Sequence, residues 1–380
     1  MSTSGFEGSV MLAAGGSGGH LFPAFALAEE LGRRGIAVDL MTDMRGDRYG
    51  TGFPARKIHQ VPAATIAGAN PLSAAKTIFT LAKGVSAARR ILSEVKPSVV
   101  VGFGGYPSFP PIVAASLIGL PTALHEQNAV LGRANRMLAR RVTAVATSFE
   151  NVRLLEGAAV GKARLTGNPV RDAVLREAGK PYVRSAEGAP FYLLVFGGSQ
   201  GARFFSEMVP PALRLLPAHL QARLSVIQQA RPEDVDSVRQ AYDGGGEQPM
   251  IAAEVAPFFK NLPELMAACH LVIGRAGAST VAELTVLGRP SILVPLPHAL
   301  DNDQLANATR LAEAGGAVCL EQGGITPASL ATEIARAMED PQRMAAAAEA
   351  AKGQGRPDAV ERLADLVVEL MAQSARAKAS

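Results

Sequence analysis

Three glycine-rich turns carry the residues best placed to do chemistry: 15–19 (Gly-Gly-Ser-Gly-Gly), 102–105 (Gly-Phe-Gly-Gly) and 197–201 (Gly-Gly-Ser-Gln-Gly). Each follows an apolar run and precedes an amphipathic one, so each reads as a strand-to-helix turn. Such turns expose bare backbone to an anion, and the helix N-terminus adds unpaired N–H groups and roughly half a positive charge. Glycine also serves such turns for steric reasons alone, and none of the three has the spacing of a dinucleotide fingerprint or a P-loop lysine. Three in one chain, two of them repeated, predict a cleft lined by loops from two domains.

His20 directly follows the first turn. A helix N-terminus disfavours the imidazolium, so His20 is expected to stay neutral and able to accept a proton; the plain alternative is a capping or packing histidine. His125, in His125-Glu126-Gln127-Asn128, ends a strand and is expected to point at the crevice where doubly wound folds bind ligands. In the second half, residues 274–283 join an apolar strand to a helix. That turn offers backbone donors to a phosphate, and Glu283 can accept two ribose hydroxyls; the alternative is an ordinary helix start capped by Ser279 or Thr280. Asp301 and Asp303 form an Asp-x-Asp pair without a third ligand, read as a helix N-cap and a first-turn acid, so no metal is assigned.

The elements that must hold these residues follow from periodicity. Apolar runs at 10–14, 36–42, 98–102, 121–125, 191–196, 223–228, 271–274 and 291–295 read as strands. Between them lie helical patterns such as Ala24, Leu27, Ala28 and Leu31. Near-continuous apolar strands interleaved with helices predict an α/β fold with doubly wound parallel sheets. Gly15, Gly16, Ser17 and Gly19 recur as Gly197, Gly198, Ser199 and Gly201 at an offset of 182 residues, which predicts two Rossmann-like halves. The linker is placed at 171–189. A last helix follows the breaker at 353–357, with Val360, Leu363, Ala364 and Val367 on one face.

Composition agrees with two domains, since 380 residues exceed the ~250–300 at which one core stops growing. Hydrophobic residues at 48% and charged residues at 19% exclude disorder, coiled coil and collagen. With no Trp and 5% aromatics, a surface built to stack bases or sugars is not expected. Cys269 and Cys319 lie far apart without His or Cys at metal-ligand spacing, which suggests a reducing compartment and two small core residues. No signal sequence is read at the N-terminus. The long uncharged run from 97 to 125 contains Pro97, Pro107, Pro110, Pro111 and Pro121, so it is not a spanning helix. Residues 1–171 hold 19 Lys/Arg against 10 Asp/Glu, while the remainder holds 19 against 24. A basic front half suits an anionic membrane surface or a phosphorylated ligand; no motif supports nucleic acid, and a merely solvated basic surface is the alternative.

Together the motifs resemble one family in order. Gly15 to His20 followed by Phe22-Pro23, Gly104-Gly105-Tyr106, His125 to Asn128, Gly167-Asn-Pro-Val-Arg171, Gly197 to Ala202, the Arg275 to Glu283 turn and Pro357-Asp-Ala are similar to the MurG family of glycosyltransferases, over essentially the whole chain. The resemblance implies a GT-B architecture: an N-terminal acceptor domain at 1–171, a C-terminal UDP-GlcNAc domain at 172–357, a central cleft between them, and a last helix at 358–380 returning to the first. It implies inverting transfer of N-acetylglucosamine from UDP-GlcNAc to the 4-hydroxyl of MurNAc in undecaprenyl-pyrophosphoryl-MurNAc-pentapeptide, giving lipid II and UDP for peptidoglycan synthesis. No cofactor or metal is implied. The implied place is peripheral, on the cytoplasmic face of the inner membrane, with cell-wall and division proteins as further partners.

By the same resemblance, Ser17, Gly18, Gly19, Asn128, Arg171, Ser199, Ala278, Ser279, Thr280, Val281, Ala282, Glu283 and Gln304 contact UDP-GlcNAc, and Phe259 matches a position beside the uracil. Gly104, Gly105, Tyr106, His125 and Glu126 face the lipid-linked acceptor. On its own chemistry His20 is the best neutral candidate for a general base to the attacking hydroxyl, with binding of acceptor phosphate as the alternative. Ser17 stands where Thr is common, which keeps the hydroxyl, and Asp303 stands where Gln or His is common. Leu72, Ala75, Phe79, Ala82 and Ser86 fall on one helical stripe, widened by Ile78, Leu81 and Val85. Lys76, Lys83, Arg89, Arg90 and Lys96 surround it, so this segment is expected to meet anionic lipid. The rivals are a nicotinamide oxidoreductase, a non-hydrolysing UDP-GlcNAc 2-epimerase and a non-catalytic nucleotide-sugar binder.

Overall fold

The computed structural model describes residues 8–16, 18–43, 52–64, 71–198, 201–244 and 250–379, with backbone alone at 71–74, 300 and 377–379. The chain forms two compact units, Met1–Arg171 with Asp358–Ser380, and Asp172–Pro357. Unit 1 runs β1 (Ser9–Ala13), α1 (Gly18–Arg33), β2 (Ala37–Thr42), β3 (Lys57–Gln60), α2 (Pro71–Val95), β4 (Val99–Gly102), α3 (Gly105–Leu117), β5 (Thr122–Glu126), α4 (Arg133–Leu138), β6 (Ala144–Thr147) and β7 (Ala163–Leu165). Unit 2 begins with α5 (Asp172–Glu177), β8 (Phe191–Phe196), α6 (Arg203–Arg214), α7 (Ala218–Gln221), β9 (Leu224–Gln229), α8 (Val235–Asp243) and β10 (Ala252–Ala256). It continues through α9 (Leu262–Ala268), β11 (Leu271–Gly274), α10 (Ala278–Leu287), β12 (Ser291–Leu293), α11 (Asp303–Glu313), β13 (Ala317–Cys319), α12 (Pro327–Glu339) and α13 (Pro341–Gln354); α14 (Ala359–Ala379) belongs to unit 1.

The strand orders are β3-β2-β1-β4-β5-β6-β7 and β10-β9-β8-β11-β12-β13. Every pairing is parallel: Val10 sits opposite Val38 and Val99, and Leu193 opposite Val226 and Leu271. Strands β1, β4, β8 and β11 at the centre of the two sheets are nearly continuous apolar runs because both faces are covered, as the sequence predicts for a doubly wound sheet. Successive residues feed opposite cores: Val10 and Leu12 join α1 and α14, while Met11 joins the side of α2 and α3. Chain order reverses between β1 and β4 in unit 1 and between β8 and β11 in unit 2, which marks the switch point of each sheet.

Five strands escape the sequence reading. β3 (Lys-Ile-His-Gln) and β10 (Ala-Ala-Glu-Val-Ala) are edge strands with mostly exposed side chains, so they lack an apolar run. β6 has four residues, and β7 and β13 have three each, too few for a period to register. The stretch expected as a linker contains α5, whose Val174 is fully buried beside α9 and α10. On α14, Val360, Leu363, Ala364 and Val367 are buried against the core that α1 closes. Arg34 fixes the helix there, with Nη1 2.6 Å from Asp365 and Nε 2.6 Å from Glu30. Among the described residues no helix is long and apolar enough to cross a membrane.

Candidate active site

The turns that carry the candidate chemistry follow β1, β4, β8 and β11, the strands flanking the two switch points. The repeat is conformational as well as sequential. Gly16 and Gly198, which align at the repeat offset, both take left-handed backbone, φ +83° and +86°, a conformation glycine adopts without steric cost. Helices α3, α6 and α10 open with Gly104, Ala202 and Gly277 at the N-cap, and none has a side-chain capping bond. No capping side chain therefore covers their first turns, although in α6 the Phe205 N–H donates to the Ala202 carbonyl at 3.0 Å. Ser279 and Thr280 lie inside α10, so the reading of either as its cap is corrected. Ser17 and Ser199 lie outside the described residues.

In unit 1 the largely buried His20 ring lies across the Gly104–Gly105 backbone. A Cβ at Gly104 would sit 3.3 Å from its Cε1, and one at Gly105 would sit 3.2 Å from its Nε2. Both glycines also have positive φ, +83° and +68°, so bare left-handed backbone is what lets the ring approach. Burial pulls the imidazole below its ordinary pKa of 6.5, against opposing effects of the Gln127 side chain and the Phe103 backbone. The neutral state expected from the helix N-terminus thus has burial as its largest cause.

His125 and Glu126 are placed differently from expectation: both are buried, at 0% and 1% exposure. His125 Nε2 donates to the Gly167 carbonyl at 3.0 Å, and its Nδ1 accepts from the Gln127 amide at 3.0 Å. Burial lowers its pKa from 6.5 to about 4, aided by the nearby His20 and opposed by the Gly167 carbonyl. Glu126 accepts from the Asn128 and Gly132 backbone N–H groups at 3.0 and 2.8 Å, and from the Asn135 amide at 2.8 Å. Burial raises its pKa and these donors resist the rise. The expectation that His125 and Glu126 present their side chains to an open crevice is therefore corrected. They brace the segment bearing half-buried Asn128, behind His20. Tyr106 and Gly105 remain partly exposed, and the Arg171 guanidinium lies 5.1 Å from the Phe22 ring centre.

In unit 2, Ala278, Ser279, Thr280 and Ala282 are partly exposed, while Val281 and Glu283 are buried at 5% and 6%. Arg275 holds the turn: Nη1 donates to the Val294 and Pro295 carbonyls at 3.1 and 3.2 Å, and Nη2 donates to Gln322 at 2.8 Å. Gln304 Oε1 accepts from Leu296 N–H at 3.0 Å, which commits its carbonyl end to the loop before α11. That loop holds His298, Asp301 and Asn302 at φ +59°, +58° and +55°, strained conformations that concentrate at ligand-binding loops. Asn302 is the N-cap of α11, without a side-chain bond, and Asp303 Oδ1 accepts from Gln304 N–H at 2.7 Å. Asp301 is therefore not the cap, and Asp303 is the first-turn acid. Phe259 is half-buried in the loop after β10.

Sequence reasoning passed over Gln127, Asn135 and Asn168. Asn135 bridges the His125 carbonyl and Glu126, and the amide of Asn168 is buried with no hydrogen bond among the described residues. Only polarity next to a named motif signalled them.

Residues 10–147 match the glycosyltransferase family 28 N-terminal domain and residues 192–363 its C-terminal domain. The chain is 52% identical over 362 residues to the Brucella abortus (strain S19) UDP-N-acetylglucosamine--N-acetylmuramyl-(pentapeptide) pyrophosphoryl-undecaprenol N-acetylglucosamine transferase, covering 95% of this chain and 93% of that one. It is 50% identical to the protein of that name from Rhizobium etli (strain CIAT 652), covering 95% of each. Its structure is similar to that of Acinetobacter baumannii MurG, with a TM-score of 0.78 and 29% identity over 95% of this chain and 99% of that one. A UDP-GlcNAc 2-epimerase from Neisseria meningitidis shares the fold, with a TM-score of 0.67 at 15% identity over 96% and 100% of the two chains.

Proposed function

Because this chain belongs to glycosyltransferase family 28, we propose that it transfers N-acetylglucosamine from UDP-GlcNAc to the 4-hydroxyl of MurNAc in a lipid-linked pyrophosphoryl-MurNAc-pentapeptide, with inversion. The observation that carries this reading is the neutral His20 imidazole lying on bare backbone at the β1/β4 switch point. The acceptor hydroxyl attacks the anomeric carbon and gives its proton to His20, while UDP departs with the electron pair of the broken glycosidic bond. Charge developing on UDP is met by helix N-termini and by Arg171, a chemistry that calls for no resident cofactor. Gly18, Gly19, Asn128, Arg171, Phe259, residues 278–283 and Gln304 serve the donor, and Gly104, Gly105 and Tyr106 serve the acceptor. His125 and Glu126 support this set from within.

The deciding assay is radiolabelled GlcNAc transfer from UDP-GlcNAc to a lipid-linked MurNAc-peptide. Appearance of UDP-ManNAc without transfer would replace this reading with the epimerase. Glu283→Ala is expected to weaken UDP-GlcNAc binding by about 1.5–3 kcal/mol, the loss of charge-assisted bonds to ribose hydroxyls. Calorimetric titration showing unchanged affinity would remove Glu283 from the donor site.

A lipid-linked acceptor requires contact with a membrane, and α2 supports one. Ile78 and Phe79 are 66% and 71% exposed, beside exposed Lys76 and Lys83, whereas Leu81, Ala88 and Leu92 face the core. The stripe expected to lie outward thus divides: Ala75, Phe79, Ala82 and Ser86 are exposed, Leu81 is buried, Val85 packs on the core, and the Leu72 side chain lies outside the described residues. Each Lys or Arg near an anionic surface adds about 1 kcal/mol. On this reading the protein sits peripherally on the cytoplasmic face of the inner membrane. Wild type should co-sediment with anionic vesicles better than with neutral ones, and Phe79→Ser with Lys83→Glu should co-sediment poorly. Equal sedimentation of the double variant would move the contact off α2.

A further inference from the structure

Gln127 has one end fully committed and the other empty. Its amide nitrogen lies 2.9 Å from the Phe103 carbonyl, 3.2 Å from the His125 carbonyl and 3.0 Å from His125 Nδ1. Carbonyls only accept, so the nitrogen must face them and Oε1 must face away. Oε1 is buried and has no hydrogen bond among the described residues. A buried carbonyl left without a donor carries an uncompensated desolvation cost. His20 Nδ1 is a buried nitrogen in the same condition. The Gln127 side chain and the Phe103 backbone both influence the His20 ring as acceptors do, favouring its charged form; the Phe103 carbonyl already accepts from Gln127 at 2.9 Å, whereas Oε1 has no donor among the described residues. The ring is oriented to suit: Cε1 and Nδ1 lie nearest Gly104, next to Phe103, and Cδ2 and Nε2 lie nearest Gly105.

We propose that Gln127 is a positioning residue whose Oε1 accepts from His20 Nδ1–H, fixing the tautomer in which Nε2 carries the lone pair. The inference rests on His20 being the proton acceptor of the transfer reaction. It completes a chain of one polarity, in which His20 donates to Gln127, Gln127 to His125, and His125 Nε2–H to the Gly167 carbonyl at 3.0 Å. A free neutral imidazole favours the proton on Nε2, which would make the reacting nitrogen a donor and useless as a base. With Nδ1–H held, a proton taken from the acceptor hydroxyl arrives on Nε2. The Nδ1–H···Oε1 bond then becomes charge-assisted and shorter, and no other member of the chain changes its protonation.

The test is the ring-nitrogen spectrum of the full-length protein labelled with 15N-histidine. Six histidines are present, and His20→Asn and His125→Asn assign two of the patterns. Wild type should show His20 protonated on Nδ1 and His125 on Nε2. In Gln127→Met, His20 should shift to the Nε2–H form while His125, still bonded to Gly167, keeps its own. Gln127→Glu, which retains an acceptor oxygen, should keep the Nδ1–H form of His20. Turnover of Gln127→Met should fall by about tenfold or more, because a histidine in the wrong tautomer is a poor base. Nε2–H on His20 in wild type, or Nδ1–H persisting in Gln127→Met, overturns the proposal, and the wild-type measurement does so without relying on a variant that folds. A shifted tautomer with unchanged turnover supports the hold and overturns the base role of His20.

Discussion

His20→Ala is expected to lower turnover by about 10²–10⁴-fold, the usual worth of a general base. On the barrier this is about 3–5 kcal/mol. UDP-GlcNAc affinity, measured by calorimetric titration, should stay nearly unchanged, because the ring lies on the Gly104–Gly105 backbone, which is assigned to the acceptor. Near-normal turnover in the purified, folded variant would end the base assignment. A loss confined to acceptor KM would reassign His20 to acceptor phosphate, a role equally open to an imidazole beside helix N-termini.

Acid should destabilise unit 1 through His125. Its two ring nitrogens are both used in the neutral form, one donating to Gly167 and the other accepting from Gln127. Protonation would turn a donor against the Gln127 amide. The folded-state pKa is lowered from 6.5 to about 4. Between those values the unfolded chain therefore holds more protons than the native one. The stabilising contribution is complete above pH 6.5 and is lost as pH falls toward 4, about 3 kcal/mol in all. Glu126 has the opposite sign: its raised pKa favours the native state at low pH and counts against it as pH rises. Comparing urea unfolding of wild type and His125→Gln removes the Glu126 contribution, since both proteins carry it. Wild type should lose more stability than the variant between pH 7 and pH 4.5. Parallel losses would show that His125 does not carry the acid sensitivity.

Much of the molecule is legible in the chain because some demands are local. A central strand buried on both faces is apolar at nearly every position, so β1, β4, β8 and β11 stand out, and the paired turns after β1 and β8 betray the doubled sheet. Left-handed backbone at Gly16 and Gly198 needs glycine wherever it occurs. Strands such as β3 and β10 are invisible by the same logic, since an edge asks little of side-chain chemistry. What the sequence could not decide is which polar residues of a motif face a ligand and which serve others. His125 and Asn128 are neighbours in one tetrad, yet one is wholly buried and the other half-exposed. That division arises because adjacent strands β4 and β5, with the segment after β7, bring Phe103, Gln127 and Gly167 around His125. Hydrogen bonds between residues 24 and 42 positions apart leave no period in the chain. The residue types and the turns were fixed by sequence; the direction in which each buried donor points was decided only when parallel strands closed the network, where low dielectric makes every unpaired group costly.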